Sequence, residues 1–259
     1  MATDLPVLMQ RFHGHLEDAW RRLSLSVPGG WVENVEGLTC MATGSSSPSF
    51  NLAISGARMR DPRSALDGAL DRYRGAALPW LLKLRADVDR DLVAHARRRG
   101  IDFDEEPVYG LTIGSVPELG PPPTAALAVI TAGRDTIDDA VSCFADAFET
   151  EPEVVQRELG PNLLTIPSFT VFIGYLAGEP VATSMLATTP DVQLAGVYSV
   201  ATRQAHRGRG LGTALTWAAV LEARAQGYDT VVLEPSPMGA PMYRRMGFEP
   251  IGTYLDGVV

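Results

Sequence analysis

The chain predicts a mixed α/β fold, and three observations carry that prediction. Short apolar or alternating stretches of strand length recur between segments whose apolar residues follow a 3.6-residue period. The run Arg207-Gly208-Arg209-Gly210-Leu211-Gly212 joins one such strand to one such helix. The stretch Pro117-Glu118-Leu119-Gly120-Pro121-Pro122-Pro123 punctuates the chain, because consecutive prolines fit neither a helix interior nor a central strand. Three parts follow: residues 1–116, a Pro-rich linker over 117–124, and residues 125–259.

In the last part, Ala125 to Thr131 reads as a short apolar strand, and Thr136 to Phe148 and Pro152 to Leu159 as helices. Phe169 to Leu176 and Val181 to Thr188 read as a hairpin turned through Ala177-Gly178-Glu179-Pro180. Leu194 to Thr202 is a further strand that leads into the glycine run. The helix after it places Leu211, Ala214, Leu215, Ala218, Leu221 and Ala225 on one stripe, and Gly227 stops it. Asp229 to Glu234 is a short buried strand, Pro241 to Met246 a short helix ended by Gly247, and Phe248 to Leu255 a last strand.

The first part reads similarly. Asp61-Pro62 is a helix start, with an N-cap before proline, and Gly75 is the expected stop. Trp80 to Leu84 follows as a strand, Asp87 to Arg99 as a helix and Val108 to Ile113 as a strand. Its ending Arg98-Arg99-Gly100-Ile101 echoes Arg244-Arg245-Met246-Gly247-Phe248. Where a second glycine run would fall, the chain has GARMRDPRSAL, so residues 1–116 are assigned no cofactor loop.

Bulk properties bound the function. At 259 residues, 46% apolar with mean hydropathy +0.03, the chain has ample core for one large or two small domains. No apolar stretch approaches the roughly 20 residues that cross a bilayer, and MATDLPVLMQ lacks a secretion signal. A cytoplasmic protein without a membrane partner is expected. Cys40 and Cys143 are far apart and in no metal-ligand spacing, which predicts two buried reduced thiols and no metal. Net charge −9 argues against a nucleic-acid partner. Residues 121–259 carry 8 basic against 15 acidic residues, and three of those 8 are Arg203, Arg207 and Arg209. That half is acidic except at the glycine run, a field that favours a cationic amine as second substrate.

The glycine run has its own chemistry. Glycines let backbone amides approach a ligand, and a helix start presents unpaired N–H groups and the positive end of its dipole. A pyrophosphate suits such a nest, and Arg207 and Arg209, with Arg203 and His206 before them, suit a ligand carrying further phosphate. Coenzyme A fits that description. The rival dinucleotide fingerprint requires G-x-G-x-x-G, whereas here Thr213 holds the last place and five polar or small residues separate strand from glycines. A P-loop would need Lys after the last glycine. His13 and His15 lack further ligands and read as surface or cap residues.

Three features together resemble the GNAT superfamily of acetyl-CoA-dependent N-acetyltransferases, over roughly residues 125–259. They are Val200-Ala201-Thr202 followed by the loop Arg207 to Gly212, the strand DTVVLE, and Tyr243-Arg244-Arg245-Met246-Gly247-Phe248. The resemblance implies a GNAT-type fold, preceded by a degenerate copy of it or by an accessory domain. It further implies that the strand ending at Thr202 and the next one part to admit the pantetheine arm. Val200, Ala201 and Thr202 would then bind that arm, and Arg207, Gly208, Arg209, Gly210, Leu211, Gly212 and Thr213 the phosphates. Tyr243 would protonate the departing thiolate. Where many members carry Asn seven residues before the tyrosine, this chain has Ser236, whose shorter reach puts that contact in doubt.

A base is also needed, because freeing a lysine-like amine at neutral pH costs about 4.6 kcal/mol. Glu234 is the first candidate, then Glu249 and Asp191, while Tyr198 and Ser199 could anchor a water relay. The expected reaction is direct acetyl transfer from acetyl-CoA to a primary amine in a ternary complex. Acceptors range over small amines, amino acids, aminoglycosides and peptide amines, and a homodimer is compatible with this reading. The alternative of another class is a non-catalytic module that senses acyl-CoA or binds a partner.

Overall fold

The computed structural model describes residues 4–56, 59–115 and 126–259. In chain order the elements are α1 (Leu5–Ser26), β1 (Trp31–Val35), β2 (Leu38–Ala42), β3 (Asn51–Ser55), α2 (Pro62–Ala76), β4 (Leu81–Arg85), α3 (Arg90–Arg98) and β5 (Asp104–Thr112). They continue with β6 (Leu127–Thr131), α4 (Ile137–Phe148), α5 (Pro152–Leu159), β7 (Phe169–Leu176), β8 (Glu179–Thr189), β9 (Leu194–Thr202), α6 (Leu211–Ala225), β10 (Thr230–Leu233), α7 (Ala240–Arg245) and β11 (Glu249–Val258). The mixed α/β class expected from the sequence is correct. The expected linker 117–124 falls within residues 116–125, outside the described residues.

The chain forms two compact units that interleave along the sequence. One comprises residues 1–19 and 108–251, the other residues 20–107 and 252–259. In the first unit the strand order is β5-β10-β9-β8-β7-β6. β6 to β9 run antiparallel in succession, α6 follows, and β10 returns parallel to β9. The β7–β8 turn is tight because Ala177 and Gly178 both have positive φ, the geometry of a two-residue hairpin. In the second unit the order is β1-β2-β3-β4-β11, with β1 to β3 antiparallel and β4 parallel to β3 after α2. Both units therefore carry an antiparallel run, a helix and a parallel strand. In each, the strand beside that parallel strand comes from more than a hundred residues away in sequence: residues 109–112 of β5 beside β10, and residues 254–258 of β11 beside β4.

α6 is more deeply buried than its periodicity predicted. Leu211, Ala214, Leu215, Trp217, Ala219, Val220 and Ala223 are buried, while Leu221 points to solvent and Ala225 is exposed. An apolar helix covered on more than one side has no single stripe to read. The Ser184 hydroxyl of β8 donates to the Leu215 carbonyl at 2.9 Å and fixes the helix on the sheet. In the second unit Asp61 caps α2 as expected. The helix, however, runs through Gly75 and ends at Ala77, which takes the left-handed conformation expected of a glycine. Behind α2, the Tyr73 hydroxyl donates toward the Met41 and Leu52 carbonyls, and its ring stacks on Trp80 at 4.5 Å.

Candidate active site

The site is built where β9 leaves its neighbours. Against β8, Met185 pairs with Tyr198 but Thr183 with Ala201, so β9 carries one extra residue in between. Ser199 sits there with φ +52, a left-handed backbone uncommon for a non-glycine residue and typical of a bulge that redirects a strand. Against β10, β9 pairs only through Ala195 with Val231 and Gly196 with Val232. Beyond that point the two strands part, and the β9 edge over residues 197–202 faces the opening instead of a partner strand.

The glycine loop follows. Gly208 and Gly210 have φ +74 and +76, which side-chain-bearing residues adopt only at a cost of about 1–2 kcal/mol. No side chain caps α6, whose N-cap is Gly210 itself, so the amides of its first turn are left for another acceptor. The corresponding helix start in the other unit differs: the Asp61 carboxylate accepts from the Arg63 amide and supplies its own negative charge there. Of these two helix starts, that of α6 has no side-chain acceptor on its first-turn amides.

The basic residues near the loop divide their work. Arg203 donates to the Pro180 carbonyl at 2.7 Å and to the Ser142 hydroxyl at 2.6 Å, which ties the end of β9 to β8 and α4. Arg207 donates to the Ala147 carbonyl in the last turn of α4, and its amide donates to Gln204. Arg209 is exposed beside His206, 3.1 Å away.

Tyr243 of α7 lies at the opposite wall. Its side chain is buried and meets Phe248 edge-on at 5.8 Å. Burial pushes the phenol up to about 12, partly offset by the Thr216 hydroxyl of α6. A Cβ placed on Gly239 would come within 3.1 Å of the Tyr243 ring and 3.3 Å of Ser236 Oγ. Ser236 therefore lies beside the tyrosine, and its hydroxyl accepts from the Gly239 amide at 3.2 Å to hold the turn into α7. A Cβ on Gly212 would lie 3.4 Å from Met242 Sδ and 3.7 Å from Thr202 Oγ1. The loop, the end of β9 and α7 thus converge.

The candidate bases occupy three different settings. Glu234 is half-buried, one residue past β10. Glu249 lines a different cleft with Leu5, Leu8, Gly110 and Ile251. Asp191 is exposed in the turn between β8 and β9. Ser199, by contrast, lines a small apolar recess with Ala140, Leu159, Leu163, Val171, Thr183 and Met185, on the sheet face that Tyr198 shares through its Met185 pairing.

The surface assignment of His13 and His15 is corrected. Both are buried, His15 completely. The signal was present in α1, because Leu8, Phe12, His15, Leu16 and Ala19 share its apolar spacing. Both cysteines are free and buried, and burial raises Cys143 to about 11 and Cys40 to about 12. Among the described residues no group of three or more His, Cys, Asp or Glu is placed to hold a metal, and no helix is long and apolar enough to cross a membrane.

A mixed sheet whose parallel pair opens beside an uncapped helix start is the GNAT-type fold that the sequence resemblance implied. Solved structures share the fold over most of the chain. A GCN5-related N-acetyltransferase from Kribbella flavida matches with TM-score 0.68 at 21% identity, over 88% of this chain and 89% of that one. A GCN5-related N-acetyltransferase from Sphaerobacter thermophilus matches with TM-score 0.62 at 18% identity, over 86% and 76%. No curated protein matches the sequence. Residues 134–248 match the model of the acetyltransferase (GNAT) family, and this stretch of the chain is a GNAT domain.

Proposed function

We propose that the chain moves an acetyl group from acetyl-CoA to a primary amine by direct transfer in a ternary complex. The observation that carries this reading is the parting of β9 and β10 beside the uncapped start of α6. In it, the amides of residues 208–213 hold the pyrophosphate, with Arg209, exposed beside His206, reaching further phosphate and Arg207 contributing through its backbone position. The β9 edge at Val200, Ala201 and Thr202 bonds the pantetheine arm as an added strand would. A β9 amide near the Ser199 bulge polarises the thioester carbonyl, a contact whose loss typically costs about 10²–10³ in rate. Acetyl-CoA supplies the activated acyl group.

Tyr243 acts as a hydrogen-bond donor to the departing sulfur. Burial raises the phenol to about 12, so it is protonated at neutral pH and holds the proton that the departing thiolate takes. Ser236 supports the Tyr243 turn. Glu234 stands at the end of β10 as a carboxylate that would hold the acceptor's ammonium. Neither cysteine belongs to this constellation, so no acyl-enzyme is invoked. Acceptors are small or peptide amines, and the acidic balance of residues 121–259, 8 basic against 15 acidic, favours cations.

Calorimetry with acetyl-CoA and release of free thiol in the presence of an amine panel test this reading together. Tight binding with amine-dependent thiol release is expected. Binding without turnover on any amine would favour an acyl-CoA sensor, and no binding would overturn the site itself.

A further inference from the structure

The β9 bulge borders a recess with a size limit of its own. In the acetyltransferase reading the phosphates rest on residues 208–213, and the arm along the β9 edge runs from Thr202 back toward Val197. Its sulfur end therefore arrives at Ser199, where β9 carries its extra residue against β8. The two faces of the sheet differ there. Ser184 of β8 donates to the Leu215 carbonyl, and Ala182 and Leu186, at the same alternation, join the core that holds α6 and Tyr243. Thr183 and Met185 belong to the opposite face, the face of α4 and α5.

On that face Ser199, Thr183 and Met185 close the recess with Ala140 of α4, Leu159 of α5 and Leu163 of the turn after it. The lining is almost wholly apolar, and the Thr183 hydroxyl donates to the Phe172 carbonyl at 2.9 Å. The centre of a water-sized sphere can move over about 10 Å³ inside, which is room for one such group. A water held there needs about two to four polar partners, which such a lining does not supply. A methyl group needs none. Ala140, Leu159, Leu163 and Met185 are all buried, so close packing fixes the far wall.

We propose that this recess receives the carbon beyond the acetyl methyl, so that the chain takes propionyl-CoA as readily as acetyl-CoA and rejects butyryl-CoA and longer donors. This rests on the acetyltransferase reading and names the acyl groups its site accepts. The thioester lies at the bulge with its sulfur toward Tyr243 and its acyl chain toward α4 and α5. Its C–S bond breaks as an amide C–N bond forms. The electron pair leaves on sulfur, which takes up a proton, and the attacking nitrogen gives one up. That chemistry is the same for every chain length, so discrimination is steric. Burying one further methylene gains about fourfold in affinity. A second meets Leu159 and Leu163, and overpacking a close-packed wall costs more than burial gains.

Calorimetry of the wild-type protein with acetyl-, propionyl- and butyryl-CoA, without amine, reads the recess apart from turnover. Propionyl-CoA should bind between equally and about fourfold more tightly than acetyl-CoA, and butyryl-CoA roughly tenfold more weakly than propionyl-CoA. The kcat/KM values with one amine should follow the same order. Ala140→Val adds two carbons to the wall and should drop propionyl-CoA roughly tenfold below acetyl-CoA. Leu163→Ala deepens the recess and should bring butyryl-CoA level with propionyl-CoA. Equal binding of all three donors, or an order that neither variant moves, overturns the recess while acetyl-CoA binding stands. If neither variant folds, the wild-type order decides alone. Binding of none of the three overturns the acetyltransferase reading, and this proposal with it.

Discussion

Gly212, in the first turn of α6, lies against Met242 of α7, so near that a Cβ would stand 3.4 Å from the methionine sulfur. The contact fixes the helix that begins at the glycine loop to the helix that carries Tyr243. Two motifs some thirty residues apart are thereby held as one wall, and the predictions below probe that wall and its surroundings.

Gly210→Val should weaken acetyl-CoA binding roughly tenfold or more. A β-branched residue at φ +76 is strained by about 1–2 kcal/mol, and its side chain would crowd the amides beside it. Calorimetry on the folded variant reads the effect, and unchanged affinity would remove the phosphate site from α6.

Tyr243→Phe should keep the fold, because the ring contact with Phe248 survives. Turnover should fall by about 10²–10⁴ with acetyl-CoA affinity intact. A variant as active as the parent would leave Tyr243 a packing residue.

Arg209→Ala should weaken acetyl-CoA binding more than Arg207→Ala. Both are exposed, but Arg207 donates to the main-chain carbonyl of Ala147, whereas Arg209 meets the His206 ring within the loop itself. The Arg209 contribution should also shrink as salt rises, since exposed charges are screened. The opposite order, measured side by side in the same buffer, contradicts this division.

Alkaline pH should destabilise the fold before it silences Tyr243. Burial raises Cys143 to about 11 and Cys40 to about 12, from an ordinary thiol range near 9, and Tyr243 to about 12. A group whose folded pKa is raised favours the fold while protonated, so that stability is complete below the unfolded value and is lost as pH climbs toward the folded one. Tm should be level up to about pH 9 and fall above it, and the pH–rate profile should show no tyrosinate limb below about pH 10. A limb near neutrality would contradict the buried phenol.

Lys83→Met should destabilise the protein by about 3–5 kcal/mol, because it strands the Asp256 carboxylate that Lys83 meets at 2.8 Å inside its unit. The double change Lys83→Met with Asp256→Leu should recover most of that loss in thermal melts. Lys83 is the chain's single lysine and is buried, so incubation with acetyl-CoA alone should leave it unacetylated by mass spectrometry.

Much of the local structure was readable from residue order. The expected α5, β7 and β9 coincide with those observed, and the loop with its positive-φ glycines lies where the strand-to-helix junction predicted it. The stop at Ala77 was not readable, since nothing in alanine advertises a left-handed cap. Nor was the reach of α1, whose histidines read as polar until its apolar face was seen to contain one of them. The outward turn of Leu221 was missed for a related reason: a helix apolar on most sides gives periodicity no face to choose.

Residue order alone settled the α/β class, the glycine loop, the tyrosine turn and the family they imply, because each depends on neighbours a few positions apart. Tertiary pairing decided the rest. Whether β5 or β11 completes a given sheet, where β9 leaves β10, and which side chains α1 brings under Gly196 depend on partners a hundred or more residues away. Strand registry and burial select among such partners by the free energy of the assembled core, and no local period encodes that choice.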